Sequence, residues 1–405
     1  MIRQALTSKQ KLASFQYGFS LVELAVVVFI VGIILTMGVG ALSAARENTA
    51  VSATTQKQNA IKEALIGYLR RYSRLPCPDT KFAAPDGVEN RQTAGDPTTA
   101  CTNINPLGIL PYVTLGLGRE AAQDGWGNFF SYRVANTPGA NTDWTTTASF
   151  RAGNTGNVTL NDRVGGALTP LATNIAAVVI SHGRNGLGAY TVGGTRNIVP
   201  TAADELANTD ASALFVVKRN VTTDDAASGG AFDDIVMYLT PDDLLGPLFR
   251  DGTLKPPAAQ LQEAFQKIKL ALTGHAMGYS SLYGGTSCTN SASTPKCRII
   301  ISADPDGLTG FTAPNTPIGY PPYNDLGLTL ADTTDPWGTR IVYVLDPTVT
   351  STSSGGGISS ASPSASLPAY RLTSYGPNRA LGGGDDISLS VSVAELRASM
   401  SSLLP

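Results

Sequence analysis

The chain has 405 residues, enough for two or three domains. Its formal net charge is −2, and charged residues make up only 15% against a usual level of about 25%. It has no basic stripe, so no nucleic-acid partner is expected. Its 42 glycines and its many Thr, Ser, Asn and Ala residues suit a loop-rich β protein outside the cytoplasm.

Residues 1–18 form a polar leader with Arg3, Lys9 and Lys11 and no Asp or Glu. An apolar run begins abruptly after Gly18. From Phe19 to Leu42 there are 24 residues, and Glu23 is the only charged one. About 20 apolar residues suffice to cross a bilayer, so 19–42 is expected to be a transmembrane helix. An ordinary secretory signal has its cleavage site beyond the apolar stretch. Here the small residue, Gly18, precedes it, so cleavage between Gly18 and Phe19 would leave the apolar helix on the mature chain. A carboxylate inside the membrane costs about 2.5–3.5 kcal/mol on insertion scales, so Glu23 is expected to be paired.

Gly18, Phe19, Glu23 and the uninterrupted apolar run together resemble the class III signal of type IV prepilins and of type II secretion pseudopilins. The resemblance implies cleavage after Gly18 and methylation of Phe19 by a prepilin peptidase/N-methyltransferase. It implies that Glu23 meets the Phe19 amine of a neighbouring subunit in a filament built with other pilins on an inner-membrane assembly platform. It also implies a bacterial inner-membrane location with the head outside the cytoplasm, followed by an extracellular pilus or periplasmic pseudopilus.

The helix is expected to continue past the membrane. Ala45–Tyr72 contains no Pro, and Ile61, Ala64, Leu65, Tyr68, Leu69 and Tyr72 share one helical face. Pro76 marks the end. Phe19–Tyr72 would then reach about 80 Å.

The remainder contains one pattern twice. Leu110-Pro111-Tyr112 returns as Pro321-Pro322-Tyr323, and Asp124-Gly125-Trp126-Gly127 as Asp335-Pro336-Trp337-Gly338. Pro111, Asp124 and Cys77 each recur 211 positions later, as Pro322, Asp335 and Cys288. Ser181-His182-Gly183-Arg184-Asn185 returns as Ser374-Tyr375-Gly376-Pro377-Asn378, and Asp233-Asp234-Ile235 as Asp385-Asp386-Ile387. A tandem duplication is the expected origin. Each unit pairs a helix with an antiparallel meander, the second helix over Ala258–Met277. The fold class is therefore α+β: leader 1–18, membrane helix 19–42, first pilin-like unit 43–250, and a second unit 251–405 without an anchor. Gly188–Phe232 is a long insertion in the first unit, where recognition often resides.

Four cysteines placed outside the cytoplasm read as disulfides, and of three pairings the sequence-local Cys77–Cys101 and Cys288–Cys297 is expected. The cysteines lack zinc-ligand spacing. Trp126 and Trp337 are expected to wedge helix against sheet, and Asp124 and Asp335 to hold their turns. No nucleophile motif adjoins His182 or His275, so no enzymatic activity is expected.

The landmarks of both units also resemble the C-terminal region of major pseudopilins. That resemblance implies calcium, with Asn378, Asp385 and Asp386 as ligands in the second unit and Asn185, Asp233 and Asp234 in the first. The expected function is a structural subunit, major or minor, of a type IV pilus-type filament. A type II secretion pseudopilin, or a pilin-anchored adhesin or enzyme, is the alternative.

Overall fold

A computed structural model describes residues 20–277, 318–345 and 368–398, except 97, 104–106, 165, 211, 219–229, 231, 383, 393 and 396–397. Gly18, Phe19, Cys288, Cys297 and the Ser/Gly-rich stretch 350–367 lie outside the described residues, as do the side chains of 34–44.

Helix α1 (Leu21–Tyr72) is continuous over 52 residues, about 80 Å at 1.5 Å per residue. Ser20 caps it by accepting from the Glu23 N–H at 3.4 Å. It ends where Ser73 turns left-handed (φ 51°) and its N–H returns to the Leu69 carbonyl. No proline interrupts it. Among the described residues no helix is long and apolar enough to cross a membrane. The described apolar side chains run only from Leu21 to Ile33, about 20 Å of helix against about 30 Å of hydrocarbon.

The second half of α1 lies on a four-stranded antiparallel sheet. Its strands are β1 (Leu107–Ile109), β3 (Ser131–Val134), β6 (Ala177–Ser181) and β9 (Ile235–Leu239), in the order β1-β3-β6-β9. Ile61, Leu65 and Leu69 pack on Tyr132, Val134, Ala177, Val179 and Leu239. Burying each such aliphatic side chain contributes about 1.5–3 kcal/mol. Polar groups set the helix position. Gln58 Nε2 donates to the carbonyls of Val179 and Ile235 at 3.3 and 3.0 Å. Lys62 pairs with Asp243 at 2.7 Å, at the start of α3 (Pro241–Arg250).

The opposite face of this sheet carries a second layer. Strands β4 (Val158–Val164), β5 (Ala167–Ile175) and β8 (Leu214–Val217) form a sheet in the order β5-β4-β8, with β4 and β8 parallel. Val158, Leu160, Ile175 and Phe215 pack on Val178 and Ile180. This layer departs from the plain antiparallel meander expected from the sequence. Its strands carry a weak pattern, since β5 is largely exposed and β4 contains Asn161, Asp162 and Arg163. A short ladder joins β2 (Asn128–Phe129) to β7 (Tyr190–Thr191), and α2 (Ala203–Ala207) precedes β8.

Helix α4 (Pro257–Met277) lies on another antiparallel sheet, β10 (Ile318–Gly319), β11 (Val342–Leu345), β12 (Pro368–Ser374) and β13 (Ile387–Ser392), in that order. Leu261, Phe265, Ile268 and Leu272 meet Tyr343, Tyr370, Leu372 and Val391. Here Lys269 pairs with Glu395, whose N–H bonds Ser392 Oγ just past β13. The two helix–sheet layers touch where Gly153 faces Trp337. A Cβ on Gly153 would lie 2.3 Å from the indole, so no side chain fits there.

Below α1, the Cys77–Cys101 disulfide forms as expected, with Cα atoms 5.5 Å apart. Beside it, Glu89 accepts from Arg74 at 2.7 and 2.9 Å, from Arg91 Nε at 3.0 Å and from the Cys77 N–H at 3.0 Å. Burial alone would raise the Glu89 carboxyl, but the two guanidiniums and the N–H outweigh it and hold it below its usual range. A depressed carboxyl contributes stability above its unfolded value near 4.5, and that stability is lost as pH falls. Glu89→Gln should therefore cost about 3–5 kcal/mol in thermal or urea unfolding at neutral pH, and the difference from wild type should shrink below pH 4.5. An equal difference at pH 7 and pH 3 would contradict this account.

Candidate functional site

The repeated landmarks build one hydrogen-bonded node in each sheet. Asp124 Oδ1 accepts from the Trp126 and Asn128 N–H groups at 2.9 and 3.0 Å, and Oδ2 from Ser181 Oγ at 2.7 Å. Asp335 does the same with Trp337, Thr339 and Ser374, at 3.1, 2.8 and 2.6 Å. Asp124 and Asp335 thus hold their turns, as the sequence suggests. Gly183 (φ +59°) and Gly376 (φ +67°) press against the Asp233 and Asp385 backbones, where a Cβ would fall 2.2 and 2.4 Å from a carbonyl oxygen. Trp337 is buried in the core under α4, the wedge position expected for both tryptophans. Trp126 is only half-buried. In its unit Gly125 packs directly on α1, with the Cβ position 2.2 Å from the Ala50 carbonyl, so backbone fills that place.

Three carboxylates converge in the first unit. One oxygen each of Glu205, Asp233 and Asp234 lies within 4.8 Å of the others. Asn185 joins them, its N–H on Asp233 Oδ2 at 2.8 Å and its Nδ2 on Glu205 Oε1 at 2.9 Å. Asp234 Oδ2 accepts from Asn208 Nδ2 at 2.8 Å, while Asp233 Oδ1 is buried with no hydrogen bond. Burial and the Asp234 and Asp233 charges push Glu205 up to about 7. Burial, followed by the Asp234 charge, also raises Asp233.

In the second unit the corresponding residues brace a loop instead. Asn378 gives both its N–H, at 3.0 Å, and its Nδ2 to Asp385, and Asp386 Oδ2 accepts from the Gly382 N–H at 2.8 Å. Glu205, on α2 inside the Gly188–Phe232 insertion, was not identified from sequence. Nothing local distinguishes it from its neighbour Asp204, which instead pairs with Arg163.

Adjoining the cluster, Ser131 Oγ lies 2.8 Å from His182 Nε2, and His182 Nδ1 faces Asp234 Oδ1 at 3.7 Å. Ser131 and His182 line a cavity of ≈ 370 Å³.

At the other end of the molecule, the first turns of α1 stand clear of the head. Leu21 is 84% exposed and Phe29 is 69% exposed, with Glu23 between them. A family model described as the prokaryotic N-terminal methylation motif matches residues 14–39. The chain carries a class III prepilin signal. No curated protein and no solved structure matches it. The prepilin signal implies processing by a prepilin peptidase and assembly into pilin-type filaments. It suggests membrane-anchored assembly. Gly18, Phe19 and Glu23 all fall within the matched prepilin segment, and its described side chains in α1, from Leu21 to Ile33, are exposed.

The acidic cluster has a measurable consequence. A carboxyl raised from 4.5 to about 7 adds stability at low pH that is lost as pH rises through 7. With chelator present, melting temperature should fall between pH 4.5 and 8. Glu205→Gln should be stabilised relative to wild type at pH 8, on the order of 1–3 kcal/mol, and not at pH 4.5.

Proposed function

We propose that the protein is a structural subunit, major or minor, of a type IV pilus-type filament, cleaved after Gly18 and assembled through its N-terminal helix. The observation supporting this reading is the division of α1 into an uncovered apolar end and an end clamped to a globular head. An apolar helix of this kind must be covered by lipid or by like helices. Residues 19–42 anchor the protein in the inner membrane before assembly, and the same helix lines the filament afterwards. Glu23 then pairs with the Phe19 amine of a neighbouring subunit, relieving the cost of an unpaired carboxylate in an apolar setting. The structure is also consistent with a pseudopilin of a type II secretion system, a reading favoured by the pseudopilin-like landmarks that build both Asp–Ser nodes. The bulk of a two-unit head favours a surface filament or a tip position.

A tandem duplication of the head accounts for several shared features. Both sheets have one strand order. Both nodes have the same Asp–Ser bond. Both helices use a lysine to reach the acid after the last strand.

Calcium is proposed at the first-unit cluster, held by Glu205 and Asp233 with oxygens of the surrounding loop. Calcium takes about six to eight oxygen ligands, and two carboxylates with a buried orphan oxygen supply the charged part of such a set. When bound, the ion would neutralise the carboxylates and stiffen the insertion. Asn185 directs N–H groups into the cluster, so its side chain is not a ligand as placed.

Two experiments test these readings. Glu23→Ala should be cleaved at Gly18 like wild type yet be missing from sheared filaments. Normal incorporation would overturn the docking role, and mature wild-type protein confined to the cell envelope would favour the pseudopilus. At pH 8, calcium should raise the melting temperature of wild type and not of Asp233→Asn; no rise in wild type would remove calcium from the site.

A further inference from the structure

We infer that Ser131 and His182 form a nucleophile–base pair that opens an acyl-transfer site for small esters in the head of the first unit. Three neighbouring strands bring the residues together: Ser131 opens β3, His182 follows β6, and Asp234 precedes β9. The sheet register pairs Ser131 with Ile180, and Ser181 with Ile235, so the three stand at one end of the sheet. Ser131 Oγ and His182 Nε2 are 2.8 Å apart. A nucleophile within hydrogen-bond reach of a base, with a third group behind the base, is the arrangement nucleophilic catalysis needs. Asp234 is that third group. It faces Nδ1 at 3.7 Å, and Asn208 fixes its other oxygen. Catalytic hydrogen bonds are often long before substrate binds. A proton on Nδ1 leaves Nε2 to accept from Ser131.

The second sheet provides an internal control. By register, Val342 stands against Thr373 as Ser131 stands against Ile180, and Tyr375 follows Ser374 as His182 follows Ser181. The same four-stranded layer therefore forms with a valine and a tyrosine in these places. Burying a serine and a histidine is costlier than burying valine, so the fold does not explain them. The insertion Gly188–Phe232, which has no counterpart in the second unit, supplies a wall over the pair. Phe82, Leu107, Tyr190 and Leu206 give the cavity apolar sides, and its ≈ 370 Å³ suits a short acyl chain.

In the reaction, Ser131 Oγ bonds to the ester carbonyl carbon as its proton passes to His182 Nε2. The ester C–O bond then breaks and the proton leaves with the alcohol. Water attacks the acyl-serine, gives a proton to His182, and the acid departs as that proton returns to Ser131. The net change is ester plus water to acid plus alcohol. Nearby backbone donors are already engaged, Ile109 N–H with Asp79 and Leu110 N–H with Phe130, so oxyanion support is thin and turnover slow. Covalent capture is therefore the better readout.

The test incubates the full mature chain in detergent with an alkyl fluorophosphonate, followed by intact-mass measurement and peptide mapping. One adduct on Ser131 is expected. Ser131→Val, the residue the second sheet uses, should keep the wild-type melting temperature and take no label. His182→Gln should label about 100-fold more slowly. No adduct on folded wild type, an adduct mapping to another residue, or equal labelling of Ser131→Val would each overturn the inference.

Discussion

The burial of one half of α1 against a sheet organises everything else in the first unit. Ile61, Leu65 and Leu69 supply the apolar area, and Gln58 fixes the angle by bonding two carbonyls on neighbouring strands. Because the helix continues without a proline, that clamp also sets where its uncovered end points. The apolar end and the head are thus joined by one unbroken run of helical hydrogen bonds.

The two sheets show which features the layer needs and which are additions. Both have an aspartate gripping its own turn and the serine that ends the third strand of the sheet, and both have a glycine where a Cβ would strike the following acidic segment. Those elements recur because they close the open end of each sheet. The Ser131–His182 pair, the Glu205 cluster and the small β5-β4-β8 sheet occur in the first unit only, among the described residues. The cluster and the small sheet depend on the insertions between β3 and β6 or between β6 and β9, whereas Ser131 and His182 stand on shared strand positions and take only a cavity wall from an insertion.

That division explains what could be read from the sequence. Helix α1 was legible because one apolar run, one stripe and one proline-free stretch overlap. Helix α4, expected over Ala258–Met277, begins one residue earlier at Pro257. The antiparallel sheet under each helix was legible as a meander, and it is the one formed by β1, β3, β6 and β9 and by β10 to β13. The pairing of β4 with β8 was not, because parallel neighbours more than 50 positions apart leave no local trace. Glu205 was hidden for the same reason, since its meeting with Asp233 is set by the path of the insertion. Ser131 looked like any polar residue in a strand, and only the register across β6 shows that it faces His182. The Trp126 wedge failed because Gly125 brings backbone, rather than indole, against the helix.

The two layers share a strand order and an Asp–Ser node but differ in the length of the loop that follows the serine. The second layer keeps a compact loop between Ser374 and Asp385, in which Asn378 donates to Asp385 and the Gly382 N–H to Asp386 Oδ2, while Asp386 Oδ1 is buried without a hydrogen bond. In the first, the interval from Ser181 to Asp233 is lengthened enough to carry α2 and β8. The longer chain brings Glu205 to Asp233 and Asp234, a third carboxylate that the short loop does not supply. It also raises a wall over Ser131 and His182. Acid clustering and cavity formation are thus two results of one lengthened loop. Both lie at the far end of the sheet from the α3 cap, where residues can change without disturbing the Lys62–Asp243 tie.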